Sequence, residues 1–100
     1  MITEKQFQAQ LITLAKLCHW DLIYHPWLSI HSARGFFDLV LFREEDKRLI
    51  FAELKSEKGV LSKAQQEWLD ALKVAGCEVY LWRPSDFEKV VEILKRPTNR

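Results

Sequence analysis

Apolar residues recur three and four positions apart near the start of the chain, at Phe7, Leu11, Leu14 and Cys18, which is the stripe of an amphipathic helix. Thr3 with Gln6 three positions later makes a capping box, so the first helix is predicted over residues 3–18. Glu4 extends the same stripe, where it either stabilises the helix N-terminus through the macrodipole or reaches into a site at the edge of a sheet. The period then changes. Trp20 to His25 predicts a short strand, and Pro26 to Gly35 a loop of small and polar residues. Phe36–Arg43 and Arg48–Ser56 read as two strands joined by Glu44-Glu45-Asp46-Lys47, a polar turn short enough to make them an antiparallel hairpin.

Ser62 and Gln65 repeat the capping-box spacing, and Ala64, Trp68, Ala71, Leu72 and Ala75 predict the inner face of a second helix ended by Gly76. Glu78 to Arg83 is an apolar strand broken by Pro84. Ser85 with Glu88 predicts the cap of a third helix, whose inner face is Phe87, Val90, Val91 and Leu94. The order αβββαβα implies an α/β fold with a mixed central sheet flanked by helices, its last strand reached by a right-handed helical crossover. A single domain is expected over 1–96, with 97–100 a C-terminal tail.

Composition narrows the classes. A hydrophobic share of 48% with three glycines and three prolines argues against disorder, and the apolar runs are too short to span a bilayer. Residues 1–18 hold no unbroken apolar stretch of the kind a secretory signal needs, so a cytoplasmic location, in a bacterial or phage-infected cell, is the expectation. Cys18 and Cys77 lack C-x-x-C spacing and read as small buried hydrophobes. The net charge of +1 means that any basic surface must be local; Arg34, Arg43, Lys47, Arg48, Lys55, Lys58 and Lys63 are candidates for it. His19, His25 and His31 recur every six residues, which suits neither a helical zinc pair nor a zinc finger. His25 and His31 flank the loop before Asp38, where they either meet a phosphate or water or are simply solvated. Trp68 and Trp82 have core periodicity, whereas Trp27, beside Pro26, is a candidate for stacking on a base.

The strongest chemical signal is Asp38 on one apolar strand and Glu53-Leu54-Lys55 on the next. Side chains alternate across a strand, so Glu53 and Lys55 are expected on the same face, about 6.6 Å apart. Charges seldom interrupt such runs unless they are paired or bind a metal. A structural ion-pair network is one explanation. The other is phosphodiester hydrolysis, which needs a divalent ion to offset phosphate charge and a water in line with the leaving oxygen. Hard oxygen donors suit Mg²⁺ or Mn²⁺. Asp38 and Glu53 would be the ligands, with the backbone carbonyl of Leu54 beside them, and Lys55 would orient or deprotonate water or offset charge on the phosphorane.

In their order along the chain, Gly35-Phe36-Phe37-Asp38, Glu53-Leu54-Lys55, Gly59 and Ser62-Lys63-Ala64-Gln65 resemble the PD-(D/E)XK nuclease superfamily, and within it the VRR-NUC domains. Val79-Tyr80-Leu81-Trp82-Arg83-Pro84 is similar to the late strand of that family. The resemblance covers nearly the whole chain and implies a restriction-endonuclease-like core. It implies metal ligation by Asp38 and Glu53, a catalytic Lys55, a water-mediated contribution from Glu4, and Gln65 at the border of the site. Phe37 stands where the family carries a proline that directs the backbone but coordinates nothing. The expected activity is Mg²⁺- or Mn²⁺-dependent cleavage of DNA without a small-molecule cofactor. By likeness to small family members, the substrate is branched DNA such as four-way junctions, cut by a homodimer. Arg34, Lys58 and Lys63 are expected to hold the nucleic acid. Two rival expectations remain: a non-catalytic nucleic-acid-binding module, and a nuclease subunit of a larger recombination or packaging complex.

Overall fold

The computed structural model describes residues 1–26 and 34–96. The elements are α1 (Glu4–Leu17), β1 (Leu22–Tyr24), β2 (Leu39–Arg43), β3 (Arg48–Leu54), α2 (Lys63–Val74), β4 (Glu78–Trp82), a 3-10 turn over Pro84–Asp86, and α3 (Phe87–Leu94). This is the predicted order of helices and strands. Trp27, His31 and the tail 97–100 lie outside the described residues.

Two of the three predicted capping boxes close as the sequence requires. At α1, Gln6 N–H donates to Thr3 Oγ1 (3.0 Å) while Thr3 N–H donates to Gln6 Oε1 (2.8 Å). At α2, Gln65 N–H donates to Ser62 Oγ and Ser62 N–H to Gln65 Oε1. Each box satisfies two of the amides that a helix start leaves without a partner. The third box, Ser85 with Glu88, does not form. Pro84 begins a 3-10 turn, Asp86 accepts from Arg83 N–H (2.9 Å), and Ser85 N–H is taken by Glu57 (2.9 Å).

The four strands lie in the order β1-β2-β3-β4; the first two neighbouring pairs are antiparallel and β3–β4 is parallel, so α2 makes the crossover. Alternation divides β3 and β4 between two cores, whereas β1 and β2 contribute to the first alone. Leu39, Leu41, Ile50, Ala52 and Leu54 face Phe7, Leu11 and Ala15 of α1 and Val90 and Leu94 of α3. Phe51 and Val79 face the other way, toward Trp68, Leu69 and Leu72 of α2, with Phe36 and Phe37 completing the cluster. The face of α2 is therefore rotated from the predicted one: Leu69 is buried, whereas Ala71 and Ala75 are exposed. Phe36, Phe37, Phe51 and Trp68 draw the helix round, their rings meeting at 5.2–6.5 Å. Phe37, in the place of the family's proline, is 1% exposed and anchors this second core. On α3, Val90 and Leu94 are buried but Phe87 is 36% exposed.

Several strands are shorter than predicted. Trp20 precedes β1 and is buried, its Nε1–H donating to the Leu94 carbonyl (3.0 Å). The β2–β3 ladder ends at Leu39–Ala52, and beyond it the Asp38 carboxylate accepts Leu54 N–H (3.0 Å). A side chain thus takes the place of a ladder carbonyl. Asp38 stands one residue before β2, and Lys55 one residue after β3.

Arg43 and Arg48 are not basic surface around the carboxylates. They pair with each other in the register at the hairpin end of β2 and β3, opposite to the end that carries Asp38 and Glu53. Arg43 is 1% exposed; its guanidinium donates to the Cys18 and Leu94 carbonyls and to Asp46 and stacks over Trp20 at 4.3 Å. Arg48 pairs with Glu78 and donates to the Ile93 carbonyl. Lys47, exposed and left-handed (φ 51°), turns the same hairpin. Cys18 is a buried free thiol and Cys77 a partly buried one.

Candidate active site

The end of the sheet opposite the hairpin turn gathers charge. Asp38 leads into β2, Glu53 is the last residue but one of β3, and Lys55 follows that strand directly. The electrostatic interactions join Asp38, Lys55 and Glu4 to Glu53, and Asp38 and Lys55 to Glu4, so the first residue of α1 reaches the same place. Glu4, Lys5, Gln8, Pro26, Asp38 and Leu54 line a cavity of about 320 Å³ here. Other cavities lie elsewhere, including a larger apolar groove between α1 and Phe87 that carries no titratable group.

Arg43 and Glu53 are the buried charged side chains among the described residues, and their surroundings differ in kind. Arg43 is fully met by acceptors. Glu53, 2% exposed, accepts a hydrogen bond from Gln65 Nε2–H but otherwise faces the Asp38 carboxyl. Burial first, then the hydrogen-bonding contact and charge of Asp38, push the Glu53 carboxyl up to about 9, with Lys55 opposing them. Burial and Asp38 also raise Glu4, again against Lys55. Lys55 takes part in none of the ion pairs among the described residues. A closed structural network would neutralise its own charges; here two carboxyl groups repel one another and a nearby ammonium is left unbonded.

Gln65 serves twice. Its Oε1 accepts from Ser62 N–H in the capping box, and its Nε2–H donates to Glu53, so the start of α2 orients the buried carboxyl. Gly35 determines how near that helix can come. It is left-handed (φ +77°), and a Cβ there would stand 2.5 Å from the Ala64 carbonyl carbon and 2.7 Å from Gln65 N. Gly35→Ala should lower stability by about 1–3 kcal/mol and displace Gln65. Gly76→Ala is the control, since Gly76 is also left-handed (φ +87°) with nothing within 4 Å of an added Cβ. Thermal unfolding should show the larger loss for Gly35→Ala.

Leu54 lines the cavity, with its N–H given to Asp38. Arg34, Lys58 and Lys63 are all exposed. Arg34 flanks α2, its carbonyl accepting from Trp68 Nε1–H (3.1 Å). His25 is half-buried. Sequence reasoning passed over Gln8, whose Nε2–H donates to the Asp38 carbonyl (3.1 Å), and Lys5, which shares the cavity wall. The signal was present: Gln8 lies four residues after Glu4 and so on the same helical face.

Residues 5–86 match the VRR-NUC domain. The chain belongs to the VRR-NUC family. That is a nuclease family, which implies DNA as the partner and typically a metal in the site. No curated protein and no solved structure matches the chain. The match begins one residue after Glu4 and includes Asp38, Glu53, Lys55 and Gln65. No helix among the described residues is long and apolar enough to cross a membrane.

The donor set of this VRR-NUC chain suits a hard divalent cation. Among the described residues no three His, Cys, Asp or Glu side chains converge closely enough to cage an ion by themselves. Mg²⁺ needs no such cage, since it is commonly held by one or two carboxylates and keeps several waters. The Asp38–Glu53 pair, oxygen-only and mutually repelling, is a fitting partner for such an ion.

Proposed function

We propose that this VRR-NUC protein is a Mg²⁺- or Mn²⁺-dependent endonuclease that cuts branched DNA as a two-fold dimer. The observation that carries this reading is Glu53, buried against Asp38 rather than against a cation, with Lys55 unpaired beside it. Asp38 and Glu53, with the Leu54 backbone carbonyl, would hold the ion, and Glu4 would contribute through water. A bound divalent ion offsets phosphate charge and lowers the pKa of water. Lys55 either directs or deprotonates the attacking water or offsets charge on the phosphorane oxygens. Gln65 keeps the Glu53 carboxylate in place. Arg34, Lys58 and Lys63 hold the DNA backbone outside the site, where contacts position the duplex without reading sequence.

The dimer is supported by the half of the sheet that α2 leaves open. Leu22, Tyr24 and Leu49 are 66%, 52% and 45% exposed there and form a shallow groove with Val40 and Phe42. These side chains lie on the same face as Glu53, and a contiguous apolar patch of this kind is a usual place for a second chain. Two active sites related by a two-fold axis would address opposite strands. A weakly charged single domain holds plain duplex poorly, because backbone affinity grows with the phosphates neutralised; branched DNA offers arms that a dimer can bend. Light scattering should give twice the 11.9 kDa chain mass, and four-way DNA should be cut faster than linear or flapped DNA with Mg²⁺ or Mn²⁺. A strict monomer that cuts linear and four-way DNA equally well refutes both parts.

A further inference from the structure

Arg83 lies outside the carboxylate cluster, at the exit of β4, yet its Nη1 is directed at the turn that follows Lys55. That nitrogen donates to the carbonyls of Ser56 (2.8 Å), Glu57 (3.2 Å) and Gly59 (2.7 Å). The turn is closed within itself by Gly59 N–H donating to the Ser56 carbonyl (3.1 Å). It is pinned a second time where the Glu57 carboxylate accepts Ser85 N–H (2.9 Å). Its near wall is the stem of Lys55: a Cβ built on Gly59 would stand 3.3 Å from Lys55 Cδ and 3.1 Å from Ser56 Oγ. The backbone of Lys55 is fixed by the same strand, its N–H donating to the carbonyl of Trp82, the residue before Arg83.

We propose that Arg83 is a positioning residue for Lys55, holding the Ser56–Gly59 turn against the lysine stem so that the ammonium stays over the carboxylates. Lys55 needs such help. Its backbone is held but its side chain is not: among the described residues it forms no ion pair, and a four-carbon stem has wide rotamer freedom. A charged donor gathering three carbonyls is a stronger tether than neutral hydrogen bonds, since charge-assisted bonds are roughly twice as strong. Convergent carbonyls also repel one another, so without the guanidinium the turn opens. The cation serves the turn, and the turn serves the lysine.

This inference rests on Lys55 acting in the reaction, and the experiment separates the two. Arg83→Gln, Arg83→Lys, Lys55→Ala and the Arg83→Gln/Lys55→Ala double variant are assayed on the best-cut DNA of the panel, with thermal unfolding as the check on folding. Arg83→Gln should lower kcat about ten- to a hundredfold, the cost of a small misplacement of a reacting group, with KM within about twofold. Arg83→Lys keeps the charge but loses the fork and should recover part of the rate. In the Lys55→Ala background the Arg83 effect should vanish, because there is no lysine left to position. Should Arg83→Gln fold poorly, Glu57→Ala removes the acceptor of the turn's other tether, Ser85 N–H, and should lower kcat in the same direction. Unchanged kcat in folded Arg83→Gln, an effect confined to KM, or equal effects with and without Lys55 would each overturn the proposal. Lys55→Ala with wild-type turnover would instead refute the active-site reading itself.

Discussion

Asp38→Asn and Glu53→Gln should each lower DNA cleavage by more than about a thousandfold while leaving the protein folded, because on the proposed reading the carboxylate charge serves the metal while the amides keep the hydrogen bonds. Both substitutions preserve the local bonds. An asparagine at 38 still offers a carbonyl oxygen to Leu54 N–H, and a glutamine at 53 still accepts from Gln65. Glu53→Gln should also change how stability depends on pH in metal-free buffer. In the native chain the Glu53 carboxyl is pushed up to about 9 from an ordinary 4.5 by burial and by Asp38. Below the ordinary value both the folded and the unfolded chain hold the proton. As pH climbs past it, the unfolded chain releases a proton that the folded chain retains, so stability falls until the folded carboxyl ionises near 9, and then levels off. Each pKa unit is worth about 1.4 kcal/mol, which makes the slope visible in melting curves recorded with a chelator. Glu53→Gln, with nothing to ionise, should lack that fall. A variant that cuts DNA at near wild-type rate, or whose stability follows pH as the parent's does, contradicts the assignment of Glu53.

The elements legible in the sequence were those fixed by neighbours along the chain. Thr3 with Gln6 and Ser62 with Gln65 are three residues apart, and each pair closes the same reciprocal bonds. Strand alternation likewise put Glu53 on the face of β3 opposite to Leu54. What the sequence hid was long-range. Arg43 sits beside Glu44 and Glu45 in a polar run that reads as surface, but the carbonyls that bury it belong to Cys18 and Leu94, 25 and 51 residues away. Arg83 reads as the polar end of a strand, while its three acceptors lie 24 to 27 residues earlier. Ser85 and Glu88 have the spacing of a cap, and that local preference loses to Pro84, which starts a tighter turn, and to Glu57, which takes the Ser85 amide. The rotated face of α2 has the same origin, because alanines can leave the core at little cost when Phe36, Phe37 and Trp68 need the space. In the site, the meeting of Asp38, Glu53 and Lys55 was legible in the strand pattern and that of Glu4 through the family resemblance, whereas the supports around them, Gln8 on the Asp38 carbonyl and Gly35 against α2, were not.

Lys55→Ala should cost turnover about a hundredfold to a thousandfold and divalent-ion affinity far less, since a charge that acts on the transition state adds little to the resting complex. The geometry explains why the two effects part. Lys55 is near enough to lower both Glu53 and Glu4 electrostatically, but it forms no ion pair with either, so removing it breaks no bond that holds the carboxylates in place. Asp38 stays anchored by Leu54 N–H and Gln8, and Glu53 by Gln65. Loss of the ammonium should also push the Glu53 and Glu4 carboxyls further up, so Lys55→Ala protein should take up metal at a somewhat higher pH than the parent. Lys55→Met keeps most of the stem that packs against Gly59 without its charge, and should lose the same turnover as Lys55→Ala if the charge is what matters. Calorimetric titration with Mn²⁺ and single-turnover cleavage measure the two quantities on the same samples. Equal losses in metal affinity and rate would make Lys55 a support of the carboxylates, and unchanged turnover would return all of these side chains to a structural charge network.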